Sequence, residues 1–397
     1  MASRLPAPKG TAKRRGVRMK ALALPAFASV AAITLAACSS NGSSSSSTPT
    51  SSSPTAAASS SSSAAALPTA PASTAESLSE TGSTLLYPLF NLWVPAYKSA
   101  FPQVTITTAG TGSGTGISSA AGGTADVGAS DAYLSPADNS KYPTLENIPL
   151  AISAQMINYN LPSVKANLKL NGTVLAEIYQ GKITMWNDPA IKTLNPGVSL
   201  PAMKIIPLHR SDSSGDTFLF TSYLSKQDSQ WASSISYNTS VAWPKVSSEL
   251  AFKGNSGMVT GCKDNPGCIA YIGISYKSKT TAAGLGEAQV ANGSGGYELP
   301  TATTIAAAAN SFSTIPANGA ISLIDSSASG AYPIINYEYA IVNSTQSNAT
   351  KATDIKALLN WAITTGNSSQ YLSQVNFQPL PSVALTASKA LIAKIGS

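Results

Sequence analysis

Three short stretches of this chain have the residue types needed to hold a small oxyanion. They are Thr81-Gly82-Ser83-Thr84, the run Gly110-Thr111-Gly112-Ser113-Gly114-Thr115-Gly116, and Arg210-Ser211-Asp212-Ser213-Ser214-Gly215-Asp216-Thr217. Each precedes a helix-like segment, and a helix start carries unpaired backbone N–H groups and a partial positive charge. Hydroxyls add donors, and glycine lets the backbone come close. Together these parts make an uncharged cradle for a tetrahedral anion, with Arg210 as its one fixed positive charge, able to grip two oxygens at once. Taken singly, each loop reads more often as an N-cap or surface turn, and a lone arginine as a solvated or salt-bridged residue. The combination carries the reading. The glycine run lacks the last glycine of G-x-G-x-x-G, and no Gly-Lys-Ser/Thr follows it, so neither a dinucleotide loop nor a Walker loop is present.

Other chemistry is thin. His209 is the only histidine, and no nucleophile, base and orienting group assemble around it in the sequence, so it reads as a strand-end residue beside the third loop. One histidine and three cysteines exclude zinc fingers and most histidine-rich metal sites, and no metal or cofactor is expected. Cys262 and Cys268 enclose the turn residues Lys263-Asp264-Asn265-Pro266-Gly267 and read as a small disulfide loop of an exported protein, two free thiols being the alternative.

The elements that must position the loops follow from periodicity. Val104 to Thr108 and Ala125 to Ala129 read as short strands, and Ile117 to Ala121 as helix. Leu85, Leu89, Leu92, Trp93, Ala96, Tyr97 and Ala100 form a helical stripe, with Pro95 predicting a kink or break inside it. Alternating helices and strands imply an α/β sandwich with mainly parallel strands. Ile152 to Tyr159 and Ile334 to Val342 are apolar runs that would cross between two lobes, one made of residues 76–155 and 335–397, the other of 156–334. Helices around Ala352–Thr364 and Ser382–Ile395 close the chain.

The net charge of +7 misleads. Seven of the 25 Lys and Arg lie in residues 1–37, where there is no acid, and the remaining 18 balance the 18 Asp and Glu. The body is not a polycation, which argues against nucleic acid as a partner. Those basic residues, an apolar stretch from Ala21 to Thr34 that is short for a membrane span, and Leu35-Ala36-Ala37-Cys38 read as a lipoprotein signal peptide (residues 1–37) with Cys38 as the lipidation site. An ordinary secretory signal is the alternative. Residues 38–75 carry almost only Ser, Thr, Ala and Pro and read as a disordered tether.

Thr81-Gly82-Ser83-Thr84, Gly112-Ser113-Gly114, Asp126-Val127-Gly128-Ala129-Ser130-Asp131-Ala132 and Arg210-Ser211-Asp212-Ser213-Ser214-Gly215 resemble, in order, the signature loops of the phosphate-binding component of the bacterial phosphate ABC transporter. Gly181-Lys182-Ile183-Thr184-Met185-Trp186-Asn187-Asp188, Asn195-Pro196-Gly197 and Pro266-Gly267-Cys268-Ile269-Ala270-Tyr271 resemble it as well, so the likeness runs from about Ser79 to Ile395. The resemblance implies a two-lobed periplasmic-binding-protein-like fold of type II, each lobe a mixed, mainly parallel sheet flanked by helices. It implies inorganic phosphate as ligand and ABC-transporter permease subunits as partners, with the receptor on the outer face of the membrane. It implies donation from Thr84, from the Leu85 amide, and from Ser113, Ser214, Gly215 and the Asp216 amide; acceptance by Asp131 of a phosphate hydroxyl; and binding of two oxygens by Arg210, steered by Asp212. Asp216 departs from the family's usual Thr, so its side chain is expected to point away, with Thr217 supplying the missing hydroxyl.

Asp131 discriminates physically. An ionised carboxylate only accepts hydrogen bonds. Phosphate near neutral pH still carries a proton to give, and sulfate does not, so one carboxylate in a donor-lined pocket selects phosphate. A receptor for another oxyanion, a secreted phosphatase or phosphoesterase, and a surface adhesin or sensor that keeps the fold are the competing readings. The enzyme would need a metal cluster or an activated nucleophile, which the residues do not supply, so no enzymatic activity is expected. On this reading, Arg210→Ala abolishes binding and leaves the ligand-free stability near that of the parent.

Overall fold

The computed structural model describes residues 66–396. The signal segment, Cys38 and most of the proposed tether lie outside the described residues. The end of that tether reading is corrected: Leu67 packs against the core, and the amides of Ala72 and Glu76 donate to the two carboxylate oxygens of Asp354, at 2.8 and 2.7 Å, on the helix Ala349–Ile363. Two hydrogen bonds to a buried carboxylate hold this stretch against the body, despite a composition that reads as disordered.

Twelve strands follow in chain order: β1 (Ser77–Gly82), β2 (Thr105–Gly110), β3 (Val127–Ser130), β4 (Leu145–Tyr159), β5 (Lys169–Leu170), β6 (Ile206–Arg210), β7 (Leu250–Phe252), β8 (Cys268–Gly273), β9 (Gly286–Glu287), β10 (Gln289–Ala291), β11 (Tyr297–Glu298) and β12 (Ile335–Asn343). Nine of them form one sheet in the order β2-β1-β3-β12-β4-β8-β6-β7, with β9 on β4, and β11-β10-β5 form a second. In one half β1, β2 and β3 are parallel and β12 is antiparallel to β3. In the other half β6, β7 and β8 are parallel and β4 is antiparallel to β8. β4 belongs to both halves: Leu145 to Ala154 pair with β12, and Gln155 to Tyr159 pair with β8. Fourteen of its fifteen residues are buried, as befits a strand covered on both faces.

Pro149 sits inside β4, where it has no N–H to give to the ladder. Opposite it the register of β12 shifts between Glu338 and Tyr339, the local irregularity expected where a proline interrupts pairing. The helix Tyr87–Ala100 runs through Pro95 without a break. Pro95 lies on its exposed face, where the carbonyl it leaves unpaired can meet water. β1 has no counterpart in the sequence reading; its buried positions are Leu78, Glu80 and Gly82, and a charged residue in the middle hides the pattern. Cys262 and Cys268 form a disulfide, Cα to Cα 5.3 Å, which ties the end of the helix Gly254–Asp264 to the first residue of β8. Among the described residues no helix is long and apolar enough to cross a membrane, and no group of three or more His, Cys, Asp or Glu could hold a metal ion.

Candidate functional site

The carboxyl ends of β1, β3, β6 and β7 run into loops that meet at the middle of the long sheet, the place where open α/β sheets bind ligands. At the end of β1, Gly82 has φ +144°, and a Cβ there would fall 2.0 Å from the Ala129 carbonyl oxygen, so only glycine makes this turn. The next residue, Ser83, accepts the amides of Leu85 and Leu86 at 3.0 and 2.9 Å and donates its own proton to Asp131 Oδ1. The Leu85 amide, expected to face the ligand, is therefore engaged by Ser83. Thr84 Oγ1 accepts from the Asn255 amide at 3.2 Å and from Asn255 Nδ2 at 3.0 Å, which leaves its hydroxyl proton free to donate elsewhere.

The second loop brings Ser113 to the first turn of the helix Ser113–Ala121. Its hydroxyl donates to Asp131 Oδ2 at 3.3 Å and accepts the Asp131 amide at 3.2 Å. Across the halves, Gly114 donates its amide to the Ser213 carbonyl at 3.2 Å, a contact that a side chain at Gly114 would block, since its Cβ would lie 2.0 Å from Ser213 Oγ. The third loop starts the helix Gly215–Gln227. The amides of its first turn have no intrahelical acceptor, and Ser214 Oγ, at the cap position, is buried with no hydrogen-bond partner. Gly215 lies against the second loop: a Cβ on it would sit 2.4 Å from Asp131 Oδ2 and 2.6 Å from Ser113 Oγ. Thus Asp131, from one half of the sheet, meets the start of a helix from the other.

Arg210 is buried at the end of β6. Its Nε and Nη2 fork onto Asp212, Nε at 2.7 Å from Oδ1, and its Nη1 lies 2.6 Å from Asp216 Oδ2. A guanidinium has five N–H groups, so these three leave roughly two uncommitted. Asp216 does not point away, as the sequence suggested; it is buried, because an arginine inside the protein needs counter-charge and two amides complete the shell. Asn255 Nδ2 reaches Asp216 Oδ2 at 2.7 Å, and Gln155 Nε2 reaches Oδ1 at 3.2 Å. Thr217 Oγ1 is hydrogen-bonded to Tyr271 OH at 2.8 Å, with either hydroxyl able to donate, and that same Tyr271 oxygen accepts the Arg210 amide at 2.9 Å. His209 stacks on Trp243, ring centres 4.9 Å apart, as a packing residue.

Burial works against every charge in this cluster. It opposes the Arg210 cation, but the Asp212 hydrogen bond and the charges of Asp216 and Asp212 outweigh it and hold the guanidinium above its usual pKa. Burial also raises the Asp212 carboxyl, and Arg210 more than reverses that, so its pKa falls below the usual carboxylate range. Asp216 is pushed up to about 7 by burial and then by the charge of Asp131, against the pull of Arg210. Asp131 is raised by burial, tempered by hydrogen bonds from Glu338 and Ser83, the charge of Arg210, and Ser113. The result is one cation held by neighbouring carboxyl groups, two of which are reluctant to ionise. An incoming anion would meet neutral dipoles and a partly free guanidinium rather than a basic patch.

Ser83, Asn255, Gln155, Tyr271 and Glu338 were not singled out in the sequence. Gln155 and Glu338 carried a signal: a polar and a charged residue inside strands otherwise built for the interior.

The model of the PBP superfamily domain matches residues 67–365. The phosphate-binding protein PstS of Methanocaldococcus jannaschii is 33% identical over 313 residues, covering 74% of this chain and 80% of that protein. Phosphate-binding protein PstS3 of Mycobacterium bovis is 32% identical over 326 residues, covering 77% of this chain and 83% of that protein. A solved phosphate-binding protein from Stenotrophomonas maltophilia shares the fold with a TM-score of 0.61 at 20% identity, over 80% of this chain and 94% of that one. The chain belongs to the PBP superfamily, in the family of the PstS phosphate-binding proteins.

Proposed function

We propose that this protein captures inorganic phosphate outside the cytoplasm and delivers it to the permease of an ABC transporter, without chemistry on the ligand. One observation carries the reading: a fully buried carboxylate, Asp131, lies against Gly215 at the start of a helix from the opposite half of the sheet, with Arg210 completing the charge. The hydroxyls of Thr84 and Ser214, the Ser113 amide and the amides of the first turn of Gly215–Gln227 supply donors to the anion, Arg210 grips two of its oxygens, and Asp131 accepts a hydrogen bond from its hydroxyl. Residues 76–155 with 335–397 form one lobe and 156–334 the other; β4 is the strand shared by both, and closure between them buries the ligand. Isothermal titration of a chain lacking residues 1–65 with phosphate and sulfate tests the proposal: phosphate binds at micromolar concentration or below, with sulfate a weak competitor, whereas no heat with phosphate would end it.

The signal segment and Cys38 support a lipid anchor on the outer membrane face. Cys38→Ala is then expected to shift the protein from the membrane fraction to the soluble one; retention in the membrane fraction would contradict the anchor.

Asp216 makes binding sensitive to pH. Its neutral form tolerates an anion and its ionised form repels one, so the bound ligand raises its pKa further. With the free-state value near 7, the neutral form prevails below that pH, and affinity falls as pH rises through it. Linkage sets a limit of about tenfold per pH unit. Phosphate's own ionisation cancels in the ratio of parent to Asp216→Asn affinities, which is expected to fall between pH 7 and 9 in titrations. A ratio that stays flat would mean that Asp216 keeps its charge state in the complex.

A further inference from the structure

Behind Asp131 stands a second carboxyl group, Glu338 of β12, fully buried beside the register shift opposite Pro149. Its Oε1 accepts from Asn336 Nδ2 at 3.0 Å and lies 2.5 Å from Ser153 Oγ, whose single hydrogen is shared with Asn336 Oδ1 at 2.6 Å. Asn336 Nδ2 also donates to the Asp131 carbonyl at 3.3 Å, so one amide steadies both residues. Glu338 Oε2 is buried and meets no N–H or O–H group of the protein, and the Asp131 carboxyl is its charged neighbour. Two buried carboxyl groups side by side repel when both are ionised, so one of them is favoured to hold a proton.

Its position follows from what surrounds each partner. Burial raises the Asp131 carboxyl, but it accepts from Ser83 and Ser113 and faces the charge of Arg210, each of which favours its ionised form. Glu338 has only neutral groups around one oxygen, and burial together with the Asp131 charge raises its pKa far above the usual carboxylate range. The other titratable groups facing the pair are Asp216, on the Asp131 side, and Tyr339, next to Glu338. We infer that Glu338 is a positioning residue for ligand selection: its neutral carboxyl donates to Asp131 and keeps that residue an ionised acceptor for the ligand's hydroxyl. This rests on the phosphate reading above. Were Asp131 to take the proton, it would become a donor and suit sulfate as well as phosphate.

Two measurements decide it. In ligand-free protein at neutral pH, protonated carboxylic acids are expected to give an infrared carbonyl stretch in the parent, and Glu338→Gln is expected to remove one component of it while those of Asp216 and Glu80 remain. That readout needs no phosphate, so a parent that fails to bind phosphate would count against the function while the band still decides on Glu338. Titrations then separate two variants. Glu338→Gln keeps a neutral donor and is expected to hold the phosphate-to-sulfate preference. Glu338→Leu removes the donor and is expected to lower that preference by about ten- to a hundredfold at pH 7, recovering as pH rises and Asp131 ionises. An unchanged band in Glu338→Gln, collapsed selectivity in Glu338→Gln, or unchanged selectivity in a folded Glu338→Leu overturns the inference. If the Leu variant does not fold, the band and the Gln variant decide.

Discussion

Replacing Arg210 by alanine is expected to weaken phosphate binding by roughly two to four decades. The two uncommitted N–H groups are the only ones a ligand can claim without displacing a carboxylate, and charged hydrogen bonds contribute about 1.5–3 kcal/mol each. The sequence alone predicted no change in ligand-free stability, and the structure revises this. Arg210 lies between Asp212 and Asp216, with side-chain exposures of 1%, 11% and 0%. Removing one member of a buried ion pair typically costs about 3–5 kcal/mol. Asp216, already raised to about 7, takes up a proton when the guanidinium goes, and Asp212 has some access to water, so the cost belongs at the lower end of that range. Calorimetry without ligand is therefore expected to show a melting temperature several degrees lower. Arg210→Lys does not rescue binding, because one ammonium cannot replace the planar fork on Asp212 and still reach Asp216. Micromolar binding retained by Arg210→Ala would show that the guanidinium serves only its carboxylates.

Asp131→Asn is expected to collapse the preference for phosphate over sulfate by about ten- to a hundredfold, chiefly by weakening phosphate. The amide keeps the shape and one acceptor but presents a donor where the ligand's hydroxyl needs an acceptor. The change reaches two neighbours. The Asp131 charge is among the causes that raise both Asp216 and Glu338, so both should ionise more readily in the variant. Competition titrations at pH 7 check the ratio; an unchanged value would mean that selection lies elsewhere in the cradle.

The helix starts were legible because Gly, Ser and Thr at those positions have a local cause: tight turns, caps and close backbone approach. Arg210 and Asp131 were legible because charged residues are scarce in this chain and each stands at the end of a strand. The orientation of Asp216 was not. Local propensity suggested a cap pointing outward, whereas the decision lay with Arg210, Asn255 and Gln155, which come from three separate segments. Asn255 was missed for a similar reason. It sits in a stretch that reads as an ordinary turn, and only the return of β7 beside β6 brings it between Thr84 and Asp216. Ser83 was quoted as part of a motif, yet its role as the joint between the first loop and Asp131 depends on the pairing of β1 with β3.

A single unbroken strand joining the two halves behaves as a torsion bar. β4 hands over from one half to the other between Ala154 and Gln155, the point where a rotation of the halves would twist it. Gln155 donates to both the carbonyl and the carboxylate of Asp216. On the proposed reading, a twist there would move the side chain that holds Asp216 and so tie the angle between the halves to the ligand.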